Sequence, residues 1–339
     1  MSVIDRFEGL RNWFPVPTRR TGFGLVRWFL LEGDRYAVTA ALLLLNTASL
    51  IALSKVWTFE IARLLTETRA VQTVLNSFLG GIILLVSIVV SINSIFLSYD
   101  ITHVSNQQDR IEGAMEFRRE VGRFADDGKT PSDPNTFLQI MAEVIHEHAR
   151  NLEEGTRGTD EEVARDIREY VESVVGTAEG LQQSLNGNTG GDFGVLWIGL
   201  ETDYGAIMDR SRSLSSSYSD RIDESSREEF EELIQTLELF VTGREYFKTL
   251  YYSREFSRLS RSLLLVSFPS IILTASTILA INAGVYPDVW LFGLPPVMMF
   301  VAVSFTVALA PFLVLTSFIL RTATVGLETA SAGPFVLRN

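Results

Sequence analysis

Apolar positions along this chain follow two regimes. Near both ends they form long unbroken runs, and in the middle they recur with helical periodicity. Tyr36 to Ser54, Val74 to Ser98, Ser262 to Tyr286 and Leu291 to Leu320 contain no Asp, Glu, Lys, Arg or His. A helix crosses the hydrocarbon core of a bilayer with ~20 predominantly apolar residues. The runs predict an all-α polytopic membrane protein with four transmembrane helices and a cytoplasmic helical bundle inserted between spans 2 and 3. The expected division is an interfacial N-terminal arm (1–35), spans 1 and 2 (36–98), a helical domain (99–260), spans 3 and 4 (261–320) and a tail (321–339).

Within the insert the punctuation is helical. Asp133-Pro134 supplies an N-cap and a proline at the first helical position, where its missing N–H costs nothing. Phe137, Ile140, Met141, Val144 and Ile145 then mark one buried face. Thr159 with Glu162 reads as a capping box for a helix whose stripe is Val163, Ile167, Tyr170, Val171, Val174 and Ala178, ending near Asn186-Gly187. After a Gly-rich connector, Phe193 to Leu200 reads as a buried strand or the start of a core helix. Ser211 to Ser219 reads as a loop or a weak polar helix. From Ser225 helical spacing returns through Phe230, Leu233, Ile234, Leu237 and Val241, with no proline before Pro269. Ser98 to Phe124 also lacks proline, so spans 2 and 3 are expected to leave the membrane as continuous helices forming a stalk.

Lys and Arg next to the spans set the orientation. Arg19, Arg20, Arg27 and Arg35 precede span 1, and Arg110, Arg118, Arg119 and Arg123 follow span 2. Arg244, Lys248, Arg254, Arg258 and Arg261 precede span 3, and Arg321 follows span 4. The opposite side holds only Lys55, Arg63 and Arg69. Both termini and the insert are therefore expected in the cytoplasm of a cell-membrane protein. The first 30 residues carry Asp5, Glu8 and arginines with no apolar h-region, so span 1 is expected to act as the insertion signal. Apolar Val3, Ile4, Phe7 and Leu10 near Arg11 suit an interfacial helix, or an arm docked on the helical domain.

Charge sharpens this division. Residues 100–260 hold 33 acidic and 17 basic side chains, so the insert is more negative than the whole chain at −12. Arg outnumbers Lys by 26 to 3, and an acidic, Lys-poor surface reads as adaptation to high salt rather than as a site for a cationic partner. No basic face repays phosphate contacts, so nucleic acid is not an expected partner. The absence of Cys excludes disulfides, thiolate metal sites and cysteine nucleophiles.

Catalytic constellations are not found. His146 and His148 lie two apart and point in different directions on a helix, while Glu143, His146 and Glu147 share a face without a second cluster to complete a metal site. Asp126-Asp127-Gly128 lacks the later ligands of a calcium loop, and Gly187 to Gly194 lacks the Lys-Ser/Thr of a phosphate cradle. Neither a catalytic residue, a metal nor a cofactor is expected. Spans free of ionisable residues argue against a pump or ion-coupled transporter. Span 2 does carry a polar stripe, Ser87, Ser91, Ser94 and Ser98 with Asn93 beside it, suited to helix packing or to lining a pore. Span 3 carries Ser267, Ser270, Thr274 and Thr277 at similar spacing. Pro269, Pro295-Pro296 and Pro311 are expected to break or kink spans 3 and 4. Tyr246, Tyr251 and Tyr252 beside Arg254, Arg258 and Arg261 form a candidate lipid-headgroup collar or an ordinary interfacial anchor.

The segment from Gly243 through Tyr246, Phe247, Tyr251, Tyr252 and Arg254 to Arg261 is similar to one found in uncharacterised haloarchaeal four-span membrane proteins. That resemblance implies no activity. The four-span layout resembles that of bestrophin-type anion channels, whose motifs are not found here. The expectation is a membrane protein without catalytic activity, embedded in the lipid bilayer, whose cytoplasmic domain acts in assembly or binds a protein partner of unknown identity. The alternative is a homo-oligomeric ion channel with span 2 lining the pore.

Overall fold

The computed structural model describes residues 26, 28–56, 69–100, 104–124, 130–187, 191–202, 204–285 and 296–330. Among the described residues there are nine α-helices and no strand. They are α1 (Arg35–Val56), α2 (Ala70–Asp100), α3 (Val104–Arg123), α4 (Pro134–Gly155), α5 (Glu161–Asn186), α6 (Gly191–Glu201), α7 (Gly205–Tyr218), α8 (Glu224–Ala283) and α9 (Pro296–Ala330). Two compact units result: Met1–Ile101 with Arg254–Thr324, and Thr102–Ser253 with Val325–Asn339.

The first unit contains four helices long and apolar enough to cross a membrane: α1, α2, α8 and α9. The fourth of these is the most enclosed, with 44% of its most apolar stretch buried against 11, 17 and 22% for the others. Leu85 and Val89 of α2, Leu263 of α8, and Val314 and Phe318 of α9 form its apolar centre. Phe78 of α2 meets Phe305 edge-on at 5.6 Å. A Cβ on Gly81 would lie 3.1 Å from the Phe312 ring, so the glycine lets α2 approach α9.

Pro269 and Pro311 both lie inside helices that continue through them, so neither takes the form of a break. The reason at Pro311 is visible. A proline has no N–H, so the Val307 carbonyl four residues back loses its helical donor. Ser270 on α8 places its Oγ 2.9 Å from that carbonyl oxygen. The same Oγ lies 2.8 Å from Val266 O, but Val266 can receive the Ser270 backbone N–H as its ordinary helical bond. Of the two acceptors within reach of the hydroxyl, Val307 is the one whose helical donor the proline removes. In a bilayer, side-chain repair of this kind is what makes an internal proline tolerable.

The second unit is an α-bundle with one core. Phe137, Met141, Ile145 and Leu152 of α4 pack with Ile167, Val171 and Val174 of α5, Met208 and Leu214 of α7, and Phe230, Leu233, Leu237 and Phe240 of α8. Each fully buried side chain of this size contributes about 1.5–3 kcal/mol. Asp133 caps α4 as its sequence predicts, accepting from Thr136 N at 3.0 Å with Pro134 behind it. The cap of α5 is Asp160, not Thr159: its carboxylate accepts from Glu162 N at 3.0 Å. Thr159 is instead committed to the preceding 3-10 turn, its hydroxyl donating to Thr156 O at 2.8 Å. The stretch after the Gly-rich connector is the helix α6. The Ser-rich segment is the helix α7, because Ile207, Met208, Ser211 and Leu214 share a buried stripe. Ser211 hydrogen-bonds the Tyr170 hydroxyl, and burial pushes that phenol up to about 12.

The apolar run of span 3 is part of one unbroken helix from Glu224, as the missing prolines predict. For span 2 the junction between α2 and α3, residues 101–103, lies outside the described residues, as do the N-terminal arm up to residue 25 and Asp126-Asp127-Gly128. Helix α9 runs ten residues beyond the expected end of span 4, to Ala330.

Candidate functional site

Hydroxyl groups make several of the hydrogen bonds between the four apolar helices, and they divide unequally among them. On α8, Thr277 Oγ1 lies 2.9 Å from Ser304 Oγ of α9, one turn-pair away from the Ser270–Val307 bond. On α1, Thr39 Oγ1 meets Ser317 Oγ at 2.9 Å, and Thr47 Oγ1 meets Thr306 Oγ1 at 3.0 Å. These are close polar seams of the kind that hold membrane helices together, where apolar side chains gain little by leaving lipid. Arg35 adds a buried fork. Its guanidinium donates to Ser317 O at 3.1 Å, Phe29 O at 3.3 Å and Gly33 O at 3.0 Å, joining a π-helical turn (Trp28–Glu32) to α9. Gly33 is required in that turn, because a Cβ there would lie 2.6 Å from Trp28 O.

The stripe on α2 has a different placement. Ser87, Ser91 and Ser94 are exposed, and their hydroxyls donate to Ile83, Ser87 and Val90 carbonyls of the same helix at 2.9, 2.9 and 3.0 Å. Ser77, ten residues before Ser87, behaves likewise toward Thr73 O. Asn93 is half-buried, and the side chain of Ser98 lies outside the described residues. The face of α2 that does pack carries Leu75, Ile82, Leu85 and Val89. The serine face is thus turned away from the other three helices of its own chain.

The aromatic-basic segment does not present one surface. Tyr246 is exposed and Tyr252 half-buried, but Tyr251 is buried, with its ring 5.6 Å from that of Tyr252. Arg254, Arg258 and Arg261 are exposed, and Arg258 Nη1 pairs with the buried Glu255 carboxylate at 3.3 Å.

In the helical domain, His146 and His148 do turn to different neighbours. His146 faces Glu179 of α5 at 3.8 Å, and His148 faces α8. Asp160 is held below the usual carboxylate range by the Arg221 guanidinium and the Glu162 amide. Asp223, which caps α8, is lowered by hydrogen bonding from Ser226, whose backbone N–H donates to its carboxylate at 2.8 Å.

Four helices of this length and apolarity, with no strand among the described residues, fit a multi-pass membrane protein. The chain belongs to a family whose model matches residues 16–339 and which is described as a family of unknown function (DUF7972). No curated protein and no solved structure matches it.

Proposed function

We infer that this protein is a non-catalytic, self-assembling membrane protein, and that α2 is the face on which its copies meet. The observation that carries the reading is the outward placement of Ser87, Ser91 and Ser94. Thr39, Thr47, Ser270 and Thr277 each meet a neighbouring span, whereas the three hydroxyls of this line meet only carbonyls of their own helix. Small residues allow close backbone approach by a second helix, with hydroxyl hydrogen bonds across the contact contributing about 0.6–2 kcal/mol. The termini and acidic domain face the cytoplasm in this reading, supported by the Lys and Arg flanking the spans. The cytoplasmic domain contributes to assembly or takes a protein partner. The acidic, Lys-poor composition fits a haloarchaeal origin and a protein that works at high salt.

A second reading rests on the same placement. If the copies surround an axis, Ser87, Ser91, Asn93 and Ser94 would line a pore and the protein would be an ion channel. The mass of the protein in detergent at high salt, measured by light scattering, tests assembly: a monomer would remove both readings. Ser91→Trp then separates them. Loss of assembly identifies a packing face, whereas intact assembly with abolished liposome flux identifies a pore.

A further inference from the structure

Three side chains in the helical domain converge without the usual reason for doing so. His148 on α4 places Nδ1 3.0 Å from Glu229 Oε2 and 3.4 Å from Glu232 Oε2, both on α8. One imidazole nitrogen carries at most one proton, in either tautomer and in the charged form. It can donate fully to one carboxylate, and the second negative oxygen then faces the same atom, offset only by the ring's own charge when the imidazole is protonated. No Arg or Lys pairs with Glu229 or Glu232 among the described residues. Two carboxylates three residues apart on a helix repel, which makes their approach to a single nitrogen costly without a cation.

We propose that His148, Glu229 and Glu232 form a binding site for a divalent transition-metal cation of the zinc type. The three ligand atoms lie within 4.8 Å of one another. A tetrahedral ion with ligands at about 2.0–2.2 Å needs them about 3.3–3.5 Å apart. Both distances from Nδ1 are close to that already, and rotation of the Glu232 carboxylate closes the third. The imidazole nitrogen selects against magnesium and calcium, which take oxygen ligands.

The surroundings support a built site. Asn151, one turn beyond His148, donates from Nδ2 to the other Glu229 oxygen at 3.4 Å, which orients the carboxylate. The Phe124 ring stands edge-on to the imidazole at 6.1 Å and fixes its plane. The His148 side chain is 13% exposed and that of Glu232 55%, so one side of the cluster is shielded while the other admits an ion and a water ligand. The metal would pin the middle of α4 to the first turns of α8, the helix that also provides the third span.

The test uses the full chain in detergent, stripped with chelator, titrated with Zn2+ by calorimetry and with Co2+ by its visible d–d absorption. One ion per chain and a tetrahedral-type Co2+ band are expected. Glu232→Gln and His148→Gln should each weaken binding at least about 10-fold. His146→Ala, at a histidine facing Glu179 instead, should leave binding unchanged. Glu232 is more than half exposed, so its Gln variant separates ligation from folding. The proposal is overturned if these two variants bind Zn2+ like the unmodified protein, or if uptake is multi-site and competed by Mg2+, as for a generally acidic surface.

Discussion

Replacing Ser270 by Ala removes one oxygen and tests how the fourth span carries a proline in its middle. Ser270 is 1% exposed, and its hydroxyl supplies the donor that Pro311 denies to Val307 O at 2.9 Å. An interhelical hydrogen bond in a membrane protein contributes about 0.6–2 kcal/mol, and a carbonyl left bare in hydrocarbon raises the loss toward the top of that range. Ser270→Ala should therefore destabilise the protein by about 1–2 kcal/mol. In a Pro311→Ala background the backbone supplies its own donor to Val307, and the same serine change should cost less than about 0.5 kcal/mol. The coupling of about 1 kcal/mol lies above the ~0.3–0.5 kcal/mol scatter expected for independent sites. The assay is a double-mutant cycle measured by SDS titration in mixed micelles, followed by circular dichroism. Equal losses in both backgrounds would refute the repair of the proline by Ser270.

Three further outcomes follow from named contacts. Arg35→Lys should destabilise the membrane unit by about 1.5–3 kcal/mol in the same titration, because an ammonium cannot reproduce the fork that reaches the carbonyls of Phe29, Gly33 and Ser317. Gly243→Ala should lower the thermal midpoint of the helical domain despite alanine's better helix propensity. Its Cβ would press on the buried Phe137 ring and lie 3.0 Å from that of Phe117, an overpacking worth about 1–3 kcal/mol against ~1 kcal/mol of propensity. The helix-capping carboxylates of Asp133, Asp160 and Asp223 are all lowered from 3.8, chiefly by hydrogen bonds from Thr136, Arg221 and Ser226 respectively. A depressed carboxylate adds stability above its unfolded value and loses it as pH falls through the folded one. Thermal melts should accordingly be flat in this contribution above about pH 5 and fall below about pH 4, and Asp133→Asn should shrink that fall.

The membrane spans were legible because lipid imposes their length and composition directly. The run from Tyr36 to Ser54 became a helix from Arg35 to Val56, with similar agreement for span 2. Helix ends set by local chemistry were legible where one residue dominated, as at Asp133. They were misassigned where two candidates stood side by side, as at Thr159 and Asp160. Choosing between those two depends on where the previous turn closes, which periodicity does not carry. The prolines left break and kink open for a related reason. How Pro311 sits inside a continuous helix shows only once a serine 41 positions earlier is seen to supply the missing donor.

The candidate sites were legible as residues but not as partners. The α2 serines were visible as a stripe, but which way the stripe faces depends on α9, the helix against which α2 packs. His148 was visible too, but its carboxylates sit about 80 residues away on α8, and no local spacing rule joins them. A weak signal was present: the run Glu228, Glu229, Glu231 and Glu232 at the start of α8 has no intervening basic residue. Repulsion on that scale invites a cation, but only the fold brings the imidazole to it.

The outward serine face of α2 is the claim on which the functional reading depends, and the chain's lack of cysteine makes it directly testable. Single cysteines would be placed through the exposed part of α2, at Ser87, Ile88, Ser91 and Ser94, and at Leu44 and Leu45 on the exposed part of α1. Oxidation in the native membrane joins only cysteines whose Cβ atoms come within about 3.5–4.5 Å. Disulfide-linked dimers are expected from α2 positions, strongest along the Ser87–Ser91–Ser94 line, and none from α1. Uncross-linked protein at every α2 position, or equally efficient linkage through Leu44 and Leu45, would contradict that claim.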